Sequence, residues 1–518
     1  MNRRLNGWAS RVGDVAIVAL ILLHVVPPVF RPRAFFQDDS YFYMQIASNI
    51  VGGAGSTFDG ITPTNGYHPL WMAGAVLAAY LGDGDKVLAL HIAVVMQILL
   101  ALAAALLFHR LLRMMGLEYG VIGLAVVASY LLGTTVFGSE AHLNVLMLTA
   151  GMISLWHSMC ADRRWLWFTT GAMFGLAILA RLDNVFLVVV LGGLAVMHDR
   201  QRGVAPLTRA VAVGVGIALA LLPYLAYNEV HYGHLMPISG AIKSTFPLFD
   251  FDPDRLGKMG KLAAPFGVVA LIVGEFLDDS DRRRVFWRGL GAGVVVHAIY
   301  VAGFTDHYTF WAWYYASGVL AAALVASYVP QWFASRLKLA RTAVAVRGVV
   351  VAATIVALLG SAARASLKAF NPLQVGPIRV DVPINEYRWP EEFGAWMKAN
   401  LPPDGAVFVT DWPGALAYYS DRRVVPMDGL VNDFRYNDEL LATGAQGYAC
   451  GHGLRFVFAA LDETRVIQHL TVMAPLYRKP AGALTLRSEN IVAKTSDVVS
   501  RPADAPRFAI WRLNCHRS

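Results

Sequence analysis

The chain reads as a polytopic α-helical membrane protein of about eleven transmembrane helices with a C-terminal soluble α/β domain. Three observations carry that reading. Of 518 residues, 56% are hydrophobic and only 15% are charged, where soluble domains run near one quarter charged. Apolar runs of membrane-spanning length recur between Met1 and Gly360. After Ser361 the composition changes to charges, prolines and short mixed segments, over a length normal for one soluble domain. The expected division is a membrane domain, 1–362, and a soluble domain, 363–518.

A span needs about 20 apolar residues. The candidates are 13–30, 87–108, 119–137, 142–160, 166–180, 184–198, 208–227, 262–277, 287–304, 310–329 and 343–362. The first follows a basic start and ends in Val-Pro-Pro-Val-Phe without a small-residue cleavage site, so it reads as an uncleaved span and not as a signal peptide. The run Leu70 to Leu81 is too short to cross and reads as a re-entrant or interfacial helix. Basic residues collect in cytoplasmic loops. With the N-terminus inside, the clusters at His109–Arg113, Asp162–Arg164, His198–Arg202, Asp281–Arg284 and Arg336–Arg347 all fall inside. Counting Leu70–Leu81 as a span would put all five outside. An odd count places the tail on the extracytoplasmic side of a cell inner membrane. The net charge of +8 then reports orientation in the lipid bilayer and is no sign of nucleic-acid binding.

The outer side carries the unusual residues. Asp38 and Asp39 follow the first span. Adjacent carboxylates repel, which raises the pKa of one and suits a general base. The pair is also a possible ligand set for a divalent cation; the plainer reading is a solvated pair or a helix cap. The loop Thr62 to Trp71 offers Asn65, Tyr67 and His68 to sugar hydroxyls, or is a turn with an aromatic belt. Arg181-Leu182-Asp183-Asn184 splits a long apolar stretch into two helices meeting at the outer face, where Arg181 and Asp183 serve a ligand, close the hairpin as a salt bridge, or both. Glu140 stands at a helix start, where the helix dipole favours a carboxylate. Lys243 lies on the side the charge bias disfavours; an anionic ligand such as a lipid phosphate accounts for it, as does snorkelling to the headgroups.

In chain order these segments are Asp-Asp after the first span, Thr-Asn-Gly-Tyr-x-Pro-Leu-Trp, Gly-Ser-Glu-x-x-Leu, Ala-Arg-Leu-Asp and Tyr-Gly-x-Leu-x-Pro-x-x-x-x-x-Lys. Together they resemble the GT-C superfamily of polyprenyl-phosphate-sugar-dependent glycosyltransferases. Within it they look most like the bacterial arabinofuranosyltransferases and related mannosyltransferase-like proteins. The resemblance covers most of the chain, including Asp411 to Asn432. The family often has Arg-Pro-Asp-Gly at 181–184 and Ser-Gly-Met-Glu-Thr at 137–141; here the charged positions match and the neighbours differ. The resemblance implies transfer of a sugar, arabinofuranose or another pentose or hexose, from a polyprenyl-phosphate donor to a glycan, glycolipid or protein acceptor of the cell envelope. It implies Asp38 or Asp39 as the base and Lys243 and Arg181 as cations for the leaving phosphate; the sequence itself requires no cofactor, with a divalent cation as the possible exception. A transporter or lipid-linked-sugar flippase is the alternative from another class, although no inverted repeat is read and the charges sit at one face.

In the outer domain, 389–400 reads as an amphipathic helix with Pro390 in its first turn. Residues 406–410, 423–426 and 454–458 read as short buried strands, and the alternation suggests a small α/β unit. Cys450 and Cys515 fall outside, in an oxidising compartment where they can pair; Cys160 falls at the inner end of its helix.

Overall fold

The structure is a computed structural model. It describes residues 25–133, 136–198, 204–251, 253–254, 257, 263–278, 280–305, 312–336, 360, 389–410, 412–460, 470–474, 487–491, 498–502 and 508–515. All but residue 360 of the last expected span, most of the first, the expected domain boundary and Asp411 lie outside these residues.

Two helices, α1 (Asp38–Val51) and α2 (Pro69–Leu81), precede the long α3 (Lys86–Met114). The bundle continues with α4 (Gly120–Leu131), α5 (Ala141–Ala161), α6 (Arg164–Ala180), α7 (Val185–Met197) and α8 (Pro206–Tyr232). A single short turn of helix, α9 (Ile238–Lys243), leads to α10 (Ala264–Ile272), α11 (Asp281–Phe304) and α12 (Ala316–Arg336). Among the described residues, five helical stretches are long and apolar enough to cross a membrane: Lys86–Met114, Ala141–Ala161, Pro206–Tyr232, Asp281–Phe304 and Ala312–Arg336. In the most apolar 18 residues of α8 only 11% are buried, and Leu207, Leu219 and Leu222 stand exposed. Apolar surface on this scale fits a polytopic protein whose helices face lipid. Small residues let the helices close: a Cβ on Gly171 of α6 would lie 2.1 Å from the Val213 carbonyl oxygen of α8.

Polar contacts define the two ends of the bundle. At one end Asp162 takes two hydrogen bonds from Arg209, at 2.9 and 2.7 Å. There Arg283 pairs with Asp278 at 2.8 Å and reaches the Met115 carbonyl. At the other end stand Glu140, Arg181 and Lys243, together with the C-terminal domain. Both ends of α2 lie at this second end. Its N-cap, His68, borders the cavity described below, while Lys86, just past its C-terminus, donates to the Tyr418 carbonyl at 2.6 Å and to Asp421 at 2.6 Å. A 13-residue helix with both termini on one side does not cross the bundle.

The C-terminal domain has α13 (Trp389–Asn400), β1 (Val407–Val409), α14 (Pro413–Ser420), β2 (Val424–Pro426), α15 (Tyr436–Gly451) and β3 (Phe456–Ala460). Strands β4 (Leu470–Ala474), β5 (Arg487–Ile491), β6 (Val498–Ser500) and β7 (Phe508–Arg512) complete it. Five strands form one sheet in the order β2-β1-β3-β7-β6. The β1 pairings with β2 and β3 are parallel, and β3–β7 and β6–β7 are antiparallel. The parallel strands are apolar throughout because both faces are covered. Phe408, Val425 and Val457 pack under Leu440 and Tyr448 of α15. Val407, Val409 and Phe458 face α13 and α14 in a cluster that continues into Phe36, Tyr41 and Trp71 of the bundle. Domain and bundle therefore share one apolar core at their junction.

Cys450 and Cys515 are joined by a disulfide, with Cα atoms 5.6 Å apart, and Cys160 is free. The bond ties the end of α15 to the residues after β7 across a separation of 65. Replacing both cysteines with serine is expected to lower the stability of this domain by about 4 kcal/mol in the chain-entropy account. Chemical denaturation with and without reductant checks this, and the reductant should leave the serine variant unaffected.

Candidate active site

Where bundle and domain meet there is a small cavity of about 70 Å³ that opens to solvent. Its walls come from sequence-distant places: Asp39 and Tyr43 of α1, His68 before α2, Glu140, Arg181, Lys243, Tyr314, and Leu430 from the C-terminal domain. A second cleft beside the disulfide, lined by Arg455 and Arg512, is larger in its water-accessible core but gathers no carboxylate or histidine.

The two adjacent aspartates part company. Asp38 turns to the C-terminal domain, where its Oδ1 accepts from the Ala415 amide at 2.9 Å and its Oδ2 from the Gly414 amide at 3.2 Å. Those are the first-turn amides of α14, whose own N-cap residue, Trp412, supplies no side-chain cap. A carboxylate from the distant α1 thus fills the capping role. The approach needs glycine at 414, since a Cβ there would sit 2.3 Å from the Asp38 carbonyl oxygen. Asp39 is one helical step further, about 100° around the axis, and lines the cavity. It is half-buried. Burial pushes its carboxyl above the usual range; Lys243 opposes and Glu140 adds to the rise.

Behind Asp39 is a buried charge cluster. Arg181 donates to Glu140 Oε1 at 2.5 Å and to Asp183 Oδ2 at 3.0 and 2.8 Å. Arg181 is 4% and Glu140 2% exposed. The other oxygen of Glu140 accepts from Tyr43 at 3.2 Å, and the Tyr43 hydroxyl accepts from the His68 amide at 3.3 Å. His297 Nε2 lies 3.3 Å from Asp183 Oδ2. Burial, the main influence, holds the His68 imidazole below its ordinary range, which keeps it neutral near pH 7. Arg181 and Asp183 do close the α6–α7 hairpin as a salt bridge, so that plainer reading holds beside any role in binding; Glu140 stands at the start of α5, but its carboxylate goes to Arg181 and Tyr43 and makes no side-chain cap bond.

Lys243 closes the cavity opposite α1. Its Nζ donates to the Tyr314 hydroxyl at 3.3 Å, and the Tyr314 ring carries Arg181 on its face, 4.1 Å from the centroid. Burial pushes the ammonium down, but Tyr314 and Asp39 more than offset it, and it is held above its ordinary range. Asn65 takes no place in the cavity wall. Its Oδ1 accepts from the Ile238 amide at 2.9 Å and holds the start of α9. Tyr67 does border the cavity, with its hydroxyl 2.8 Å from Ser56 Oγ.

The two carboxylates raised as a possible cation pair turn to different partners: Asp38 to the α14 amides and Asp39 to the cavity that Lys243 also lines. Among the described residues, no group of three or more His, Cys, Asp or Glu side chains is placed to hold a metal ion. The residues missed from sequence are Tyr43, His297, Tyr314 and Leu430. Tyr43 lies four residues after Asp39, on the same helical face, and His297 is an ionisable residue inside an expected span, itself a signal of function. Leu430 lies in the Asp411–Asn432 stretch that carries the resemblance, but its residue type gave no sign of a place in the cavity wall.

A family described as "Domain of unknown function (DUF8728)" matches residues 382–489, a stretch within the C-terminal part of the chain. No curated protein matches the chain.

Two stability measurements follow from this geometry. Asp38→Ala should cost about 1 kcal/mol through the lost cap. Arg181→Met should cost about 3–5 kcal/mol, because it leaves Glu140 and Asp183 buried without their cation. Denaturation of detergent-solubilised protein checks the order of the two.

Proposed function

We propose that the chain is a membrane glycosyltransferase that moves a sugar from a polyprenyl-phosphate donor to a hydroxyl of a cell-envelope acceptor. The observation that carries this reading is one half-open cavity, at the domain end of the bundle, with the carboxylate Asp39 on one wall and the ammonium Lys243 on another. In the proposed reaction Asp39 takes the proton of the acceptor hydroxyl. The hydroxyl oxygen bonds to the anomeric carbon, the bond from that carbon to the phosphate oxygen breaks, and the lipid phosphate leaves with its electron pair. Lys243 is the cation for that departing charge; preorganised charge of this kind acts without reorganisation cost during the reaction. Arg181, neutralised by two carboxylates, shapes the wall through Tyr314. Tyr67, His68 and the Glu140 group face the sugar.

The membrane reading belongs with this proposal. Counting the first and last candidates, which lie largely outside the described residues, eleven crossings put the N-terminus in the cytoplasm and the C-terminal domain outside an inner membrane. The Asp162–Arg209 and Asp278–Arg283 end then faces the cytoplasm, in line with the positive-inside rule. Charged groups gathered at one end favour an enzyme over a transporter, whose sites lie near the midplane. The donor sugar the resemblance implies is arabinofuranose or another pentose or hexose.

Asp39→Asn should fold and lose transfer by about 100-fold or more, the scale expected of a general base. Asp38→Asn should keep transfer within about tenfold, as a capping change is expected to act mainly on stability. The base acts deprotonated, and its pKa is raised. The acid limb of kcat/KM should therefore fall at a higher pH than for an ordinary carboxylate. Transfer of labelled sugar from polyprenyl-phosphate donors over a pH series tests both points. Full activity in Asp39→Asn would remove the assignment.

A further inference from the structure

The C-terminal domain does more than cover the bundle. We infer that its loop 428–434, acting through Leu430 and Phe434, positions Lys243 to receive the phosphate group of a polyprenyl phosphate; this rests on the proposed function. Lys243 is the last residue of α9, a helix of six residues. Helices shorter than about 12 residues do not hold themselves in water, so packing must hold this one. Its buried side chains are Ile238 and Ile242, 2% and 8% exposed. They form a small apolar cluster with Leu430 and Phe434, both from the C-terminal domain. The ring of Phe434 also stacks on His234, with centroids 3.9 Å apart, just before α9.

The loop is itself rigidly placed. Asp428 Oδ1 accepts from the Leu430 amide at 3.0 Å, and Asn432 donates to the Pro426 carbonyl at 2.8 Å. Gly429 supplies the positive φ of 74°. On the bundle side, Thr64 donates to the Asn432 carbonyl at 3.0 Å. Gly66 approaches so closely that a Cβ would lie 2.1 Å from the Leu430 carbonyl oxygen. Leu430 then projects to the cavity that Lys243 lines. The Asp428 carboxylate adds to the field that keeps Lys243 protonated. Phe434 is a positioning residue, outside the cavity wall and in contact with α9; Leu430 holds α9 in the same way and also borders the cavity, and the dependence on Lys243 measured below isolates the positioning part.

The test is binding of decaprenyl phosphate, without sugar, to the full-length chain in detergent. Leu430→Ala and Phe434→Ala should each weaken binding about tenfold in the otherwise native chain, yet less than about twofold when Lys243→Ala is already present, because coupled residues are non-additive. Leu430→Met should restore binding to within about twofold, as a volume-conserving exchange. If Leu430→Ala does not fold, the half-buried Phe434→Ala carries the same cycle. Equal losses with and without Lys243, or unchanged binding in both folded variants, would overturn the positioning role while leaving the donor class intact. A wild-type chain that does not bind the lipid phosphate would overturn this inference and the proposed function together.

Discussion

Arg181 is buried with two carboxylates on one guanidinium, Glu140 at 2.5 Å and Asp183 at 2.8 Å. Taking such ions out of water costs several kcal/mol each, and the arrangement survives only if every partner is in place. That requirement ties the start of α5, the α6–α7 turn and, through His297 beside Asp183, the middle of α11. The flat face of the same guanidinium fixes the Tyr314 ring, whose hydroxyl meets Lys243. One buried cation thus orders the wall from which a second, half-buried cation reaches the cavity. The difference in exposure separates frame from working group: Glu140 and Arg181 border the cavity but are nearly fully buried, and Asp39 and Lys243 are half-buried and more open to a ligand.

The junction with the C-terminal domain depends on the same economy of polar groups. Two neighbouring carboxylates at the start of α1 do different work because a helix turns about 100° per residue. Asp38 satisfies amides of α14 that would otherwise be unpaired beneath the domain. Asp39 is thereby held at the cavity edge. Around this contact lie the Tyr41–Tyr419 hydroxyl pair at 3.0 Å and the Lys86–Asp421 pair at 2.6 Å. The shared apolar core makes the domain part of the site's scaffold.

Much of this was legible from residue types, and the failures have physical causes. Hydropathy located α5 within a residue or so, 142–160 against Ala141–Ala161. It placed the start of α11 too late, at 287, because Arg282, Arg283 and Arg284 belong to the helix and not to the loop before it. It carried α4 to 137, whereas the helix ends at Leu131. The residues beyond it turn at Gly138, with φ 81°, against Ser40 of α1, a tertiary contact that no local pattern reports. Strands β1, β2 and β3 announced themselves as unbroken apolar runs; β7 is an equally buried strand, but a four-residue apolar run in a polar tail lies at the limit of that signal. At the site, charge out of place pointed to Asp39, Glu140, Arg181 and Lys243. The split between Asp38 and Asp39 was invisible, since it depends on which neighbour offers amides. The place of Leu430 in the wall was invisible too, although its stretch carried part of the resemblance, since an ordinary leucine joins the wall only through the close approach at Gly66.

The central claim is that Asp39 and Lys243 face each other across a donor site. An experimental structure of the chain with a non-hydrolysable polyprenyl phosphonate sugar tests it most directly. The account predicts the phosphonate against Lys243 Nζ, the anomeric carbon turned towards Asp39, and Asp38 still on the Gly414 and Ala415 amides. A ligand bound elsewhere on the chain, or one that leaves Asp39 and Lys243 untouched, would contradict it.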